Sequence, residues 1–284
     1  MIDYDKVLNW QFEDAAHVYG AADTMLYALG VGLGGDPLDA GQLRFVLEDR
    51  LQALPTMATV MGYPAMWLAD PETGIDYLNL VHGEQGVRVH MPLAPEGDVI
   101  GRTRIASIID KGPKVGAFIY LEREVVDRAS GETLCTLTST IICRSDGGFG
   151  GASGPTPKAH PIPGRAPDEV CDLPTVPQAA LIYRLAGDRN PLHADPEVAR
   201  KAGFERPILH GLANYGVAGH ALLRLCCDYD PARLRCIEGR FSAPVFPGDT
   251  IRTEIWRDGG EVSFRCRVVA RDAIVFNNGR AEID

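Results

Sequence analysis

Four stretches of the chain alternate apolar with polar positions and are rich in β-branched and aromatic residues: 115–125, 133–143, 251–256 and 261–270. Each reads as a half-buried strand. A different pattern runs from Leu212 through Ala213-Asn214-Tyr215-Gly216-Val217-Ala218-Gly219-His220 to Leu225. It is apolar on most sides and rich in Gly and Ala, as expected of a buried helix lying close against a sheet, with Pro231 beyond its end. Asp195-Pro196-Glu197 predicts a shorter helix with Asp195 as N-cap and Pro196 in the first turn, closed by Gly203.

The strand-like segments fall into two groups that echo each other. Pro92-Leu93-Ala94-Pro95-Glu96-Gly97-Asp98 precedes the first group and Pro244-Val245-Phe246-Pro247-Gly248-Asp249 the second. A His-Gly pair lies upstream of each, His82-Gly83 and His210-Gly211. Two copies of one supersecondary unit are implied. Gly83 and Gly97 are 14 positions apart, Gly211 and Gly248 are 37 apart, so the second copy holds 23 extra residues containing the buried helix. A first half without that helix would have a groove beside its sheet. Gly147-Gly148-Phe149-Gly150-Gly151 and the prolines from Pro155 to Pro177 mark a connection. The expected division is therefore 1–145, a linker at 146–178, and 179–284.

Composition narrows the possibilities. A net charge of −10 with no basic run argues against nucleic-acid binding. No apolar run reaches the length of a membrane span. The seven cysteines contain no C-x-x-C pair and read as free buried thiols. Neither the first residues nor the last four carry a targeting pattern, so a cytoplasmic enzyme is expected. Gly30-Val31-Gly32-Leu33-Gly34-Gly35 matches a dinucleotide fingerprint formally, but a helical segment precedes it and Asp36-Pro37 follows; a helix ending in a glycine loop is the better reading. His82, His90, His160 and His220 lack metal-ligand spacing, and no metal is expected.

The chemistry concentrates in Asp188-Arg189-Asn190-Pro191-Leu192-His193. A carboxylate and an imidazole stand five positions apart with a proline between them. The proline resists helix and pushes Asn190 toward extended backbone. The pair is thus set on a rigid loop entering a helix, as acid–base work on a bound water requires.

Around this pair the chain resembles the MaoC-like hydratases, and in particular the (R)-specific enoyl-CoA hydratase 2 group. The resemblance rests on residues 183–196, on Gly203 through His210-Gly211, and on Arg240 through Gly248. In the first half it rests on His82-Gly83-Glu84-Gln85, Asp110-Lys111-Gly112 and the glycines at 147–151. Ala186 departs from the pattern, where a serine or threonine is expected, without removing a catalytic group.

The resemblance implies an α+β double hotdog. Two curled antiparallel sheets would join side by side, with the long central helix kept in the C-terminal half and reduced or lost in the N-terminal half. It implies hydration of a trans-2-enoyl-CoA to the (R)-3-hydroxyacyl-CoA by Asp188 and His193, with Asn190 orienting the pair and the Gly211 N–H as oxyanion donor. Asp188 is expected as the base and His193 as the donor to C2, although either order is open and the two can titrate as one unit. His82, Gly83, Lys111, Arg189, Pro191, Leu192 and Phe241 are expected along the substrate path. No metal or redox cofactor is required, and a homodimer is expected. A hotdog thioesterase and a silent acyl-CoA-binding subunit are the rival readings.

Overall fold

Ten strands pair antiparallel throughout in the computed structural model, which describes residues 2–284. They are β1 (Ala15–Tyr19), β2 (Leu80–Val89), β3 (Gly97–Asp110), β4 (Ala117–Asp127), β5 (Thr133–Cys143), β6 (Glu169–Pro174), β7 (Leu234–Phe241), β8 (Thr250–Asp258), β9 (Glu261–Val268) and β10 (Ala273–Ile283). Their order is β1-β3-β4-β5-β2-β7-β10-β9-β8-β6. Read outward from the centre, β2-β5-β4-β3-β1 is matched by β7-β10-β9-β8-β6, so the repeat expected from the sequence is visible in the topology.

The expectation of two curled sheets is corrected: there is one open sheet. Each half leaves one strand free at the centre, and an unpaired edge is a row of unsatisfied N–H and C=O groups. β2 and β7 pair with each other instead, from Glu84 opposite Arg240 to Arg88 opposite Cys236. The Glu84 carboxylate and the Arg240 guanidinium pair across this junction. Within the segment expected as linker, β6 forms a full strand against β8.

The helices are unequal as expected. The second half has a 16-residue helix, Gly211–Cys226, while the longest in the first half has 10, Ala21–Gly30. The His-Gly pairs are not equivalent, however: His82-Gly83 lies in β2, whereas His210-Gly211 opens the long helix. The glycines of that helix also face elsewhere than expected. A Cβ at Gly216 would lie 2.4 Å from Val31 Cγ1, and one at Gly219 would lie 2.6 Å from Thr56 Cγ2. These two glycines therefore admit first-half segments, while the helix also packs on the sheet through β6, β7, β8 and β10.

First-half segments pack where a groove is expected. The turn Pro55–Val60 is buried at every residue and packs against β2, β5 and the long helix. What remains beside the first sheet is a narrow cleft lined by Tyr63, Trp67, His82, Gln85 and Arg123 among others. All seven cysteines are buried and free.

Candidate active site

The loop from Arg184 to Asp195 is shaped by its own side chains. Gly187 has φ +145°, a conformation that side chains rarely adopt. The Asp188 carboxylate then accepts from the Asn190 N–H at 3.1 Å, and Asn190 Oδ1 accepts from the Leu192 N–H at 3.0 Å. Pro191–His193 forms a single 3-10 turn. Asp195 caps the next helix, Pro196–Lys201, by accepting from Glu197 and Val198. The loop is over-determined by short-range bonds, and it presents Asp188 and a buried His193 together.

His193 Nδ1 lies 2.9 Å from the Ile208 carbonyl oxygen. A carbonyl only accepts, so Nδ1 carries the proton and Nε2 of the neutral ring is left with its lone pair. His210 is held the same way: its Nε2 lies 3.1 Å from the Asp188 carbonyl oxygen. Its ring stacks on His193, with centroids 3.8 Å apart, and lies 5.0 Å from the Tyr183 ring. Asp188, His193 and His210 each offer a ligand atom within 4.8 Å of the other two, so these three are also the residues that could hold a metal ion.

Burial sets the charge state of the imidazoles. It lowers the His193 pKa, against the Ile208 bond and the Asp188 charge, which raise it. His210 is pushed down to about 4 by burial first and by neighbouring His193 second. Two stacked imidazoles in a dry site therefore remain neutral near neutral pH.

Gly211 begins the long helix, and its N–H donates to no group among the described residues. A Cβ there would lie 3.3 Å from the Phe241 ring. Phe241 in turn meets His82 edge-on, with centroids 5.0 Å apart. Gly211, Phe241 and His82 thus connect the Asp188 loop to the cleft in the first half. His82 Nε2 donates to the Glu84 carbonyl at 2.9 Å, and burial lowers its pKa to about 4.

The other residues expected along the substrate path are distributed more widely. Gly83 is buried in β2, while Arg189 and Pro191 are exposed on the loop and Leu192 is half-buried. Lys111 donates to the Gly154 carbonyl at 2.9 Å, away from the Asp188 cluster's bonding network. Asn190 shapes the turn through its side-chain oxygen. The residue that sequence reasoning passed over is His210. The sequence shows it only as half of a His-Gly pair; its bond to the Asp188 backbone spans 22 residues, which no local pattern announces.

Residues 158–278 match the model of the MaoC like domain, and residues 17–145 match that of the MFE-2 hydratase 2 N-terminal domain. The Arabidopsis thaliana protein "Enoyl-CoA hydratase 2, peroxisomal" is 38% identical over 95% of this chain and 92% of its own length. The chain belongs to the MaoC-like hydratase 2 family. A further relative, "3-hydroxyacyl-thioester dehydratase Y" of Mycobacterium tuberculosis, is 43% identical over 92% of this chain and 91% of its own. The crystal structure of a MaoC-like dehydratase from Phytophthora capsici superposes with a TM-score of 0.86 at 33% identity, covering 99% of this chain and 98% of that one. The expectation of a cytoplasmic protein is corrected here. The relatives whose names print a compartment are named peroxisomal.

Proposed function

We propose that the protein adds water across the C2=C3 bond of a trans-2-enoyl-CoA, giving the (R)-3-hydroxyacyl-CoA, and catalyses the reverse dehydration. The reaction class follows from the family, and the observation that supports the residue roles is the His193 tautomer. With Nδ1–H committed to Ile208, Nε2 keeps its lone pair, and one ring nitrogen of His193 lies within 4.8 Å of an Asp188 carboxylate oxygen. A water between two acceptors donates a proton to each and turns its own lone pair toward C3.

In this reading water oxygen bonds to C3 while His193 Nε2 takes one of its protons. The C2=C3 electrons move toward the thioester, whose oxygen carries the enolate charge. The free Gly211 N–H at the start of the long helix stabilises that oxygen, where the helix dipole adds to the hydrogen bond. Imidazolium Nε2–H then returns its proton to C2. One H and one OH are added, and the enzyme returns to its starting state. His193 thus serves as base and then as acid, with Asp188 orienting the water; the donation to C2 stays with His193 as expected from the sequence, and the role of base moves to it from Asp188. His210 acts as a positioning residue, holding the Asp188 backbone.

The same proposal gives residues 1–145 the acyl group and 179–284 the chemistry, joined through 146–178. His82, Gly83 and Phe241 lie along the acyl path, and Lys111, Arg189, Pro191 and Leu192 contact the remainder of the ligand. Assembly as a homodimer belongs to it too and is checked by analytical ultracentrifugation. The reaction is tested by following loss of the conjugated enoyl absorbance beside release of free thiol, with the product's configuration determined. Loss of absorbance without thiol and with an (R) product is expected. Thiol release would indicate a thioesterase, and no change in either would indicate a binding subunit.

A further inference from the structure

Arg123 is a buried cation that pairs with no acid among the described residues. It lies on β4 with only 7% of its surface exposed. Strand alternation turns its neighbours Glu122 and Glu124 to the opposite face, where Glu122 pairs with Arg104. Arg123 Nη2 donates to the carbonyls of Ala58 at 3.3 Å and Thr59 at 2.8 Å. Nε is buried with no partner, and Nη1 donates to no group among the described residues. Burial pushes its pKa down to about 10, so the site is costly for the charge it holds.

The surroundings point to what would satisfy it. Along the inner face of β4, Ala117 and Ile119 belong to a small apolar core and Val125 to the main one. Arg123 occupies the seam between them and lines the narrow cleft together with His82, Gln85 and Thr103. Thr103 Oγ1 is a second buried polar atom there without a partner. Tyr63 covers the guanidinium, its ring centroid 4.9 Å away, and is itself 54% exposed, so it has solvent to move into. His82, which lines the cleft with Arg123, meets Phe241, and Phe241 packs on Gly211, so the cleft links the start of the long helix to this cation.

We propose that Arg123 is a specificity-determining residue that binds an oxygen acceptor, best a carboxylate, carried at the far end of the acyl group. The inference rests on the hydratase reading above and adds a substrate class to it: enoyl-CoAs whose chain ends in an oxygenated group. A terminal carboxylate in the cleft would receive the free Nη1–H and the Thr103 hydroxyl, and would supply the counter-charge that the chain does not. An alkyl terminus would leave both unpaired.

The test compares trans-2-octenoyl-CoA with its ω-carboxy counterpart in the wild-type enzyme. The ω-carboxy substrate is expected to show a kcat/KM about ten-fold or more higher, as a charge-assisted hydrogen bond gives. Arg123→Gln is expected to lower that ratio about ten-fold, and Arg123→Lys to restore part of it. A wild type that prefers the alkyl substrate would overturn the inference, as would Arg123→Gln lowering both rates alike, since Arg123 would then only anchor the Ala58–Thr59 backbone. If Arg123→Gln does not fold, the wild-type comparison decides alone. Hydration of the alkyl substrate only refutes this inference and leaves the hydratase reading standing; hydration of neither refutes both.

Discussion

The rings of His193 and His210 lie stacked, 3.8 Å between centroids and 28° from parallel, and each gives one N–H to a backbone carbonyl. In the proposed mechanism the His193 ring faces the reaction, while His210 bonds the backbone of the loop that carries Asp188. His210→Phe keeps the stack and removes the bond to the Asp188 carbonyl. It is expected to lower kcat about ten-fold or more, the effect of misplacing a catalytic group, while KM changes less than about threefold. Steady-state kinetics with the enoyl substrate separates the two. A parallel fall in kcat and rise in KM would point to general damage instead.

The Gly211 position is constrained by Phe241. Gly211→Ala places a Cβ 3.3 Å from that ring, so either the ring or the helix start with the proposed oxyanion donor has to give by a few tenths of an ångström. The single variant is expected to lose about ten-fold or more in kcat, comparable to a displaced oxyanion-hole donor. The double variant Gly211→Ala with Phe241→Leu is expected to recover part of it. Equal rates for the single and double variants would argue against this contact.

Protonation opposes the fold in acid. His220 is fully buried and its pKa is lowered to about 4 by burial, against 6.5 for an ordinary histidine. Between those values the unfolded chain binds more protons than the folded one. The stability from a neutral His220 is complete above about pH 6.5 and is lost as the pH falls toward 4, on the order of 3 kcal/mol. His82 and His210 act in the same direction. Urea midpoints at about pH 7 and pH 5 should show the loss; an unchanged midpoint would contradict it. His193 is shifted downward too, so the acid limb of kcat/KM should fall below the usual histidine range.

The long helix depends on its glycines for close approach to the first half. Gly216→Ala would bring a Cβ to 2.4 Å from Val31 Cγ1. The expected cost is about 1–3 kcal/mol from overpacking, although alanine is the better helix former. Denaturant unfolding of Gly216→Ala beside Gly216→Ala with Val31→Ala checks it. The second variant should regain stability if the clash is the cause.

Which features were legible in the sequence follows from the range of the forces involved. The Asp188–His193 loop is built from bonds between near neighbours, with Asn190, Pro191 and Asp195 each acting within three residues, so its shape could be read locally. The strands of the repeat announced themselves by alternation. The join between β2 and β7 did not, because it depends on two edges meeting across 150 residues of chain. Pro55–Val60 gave no periodic signal, yet it fills the space where a helix was missing. Neither His210 nor Arg123 could be assigned a partner, since their carbonyl acceptors belong to segments 22 and about 65 residues away.

The central claim, that Asp188 and His193 hydrate the enoyl bond together, is tested most directly by the turnover of Asp188→Asn and His193→Gln. Each should fold like the parent by circular dichroism and lose turnover of trans-2-octenoyl-CoA by about a hundredfold or more, as loss of an acid–base group does. Parent-like hydration by either folded variant would contradict the account.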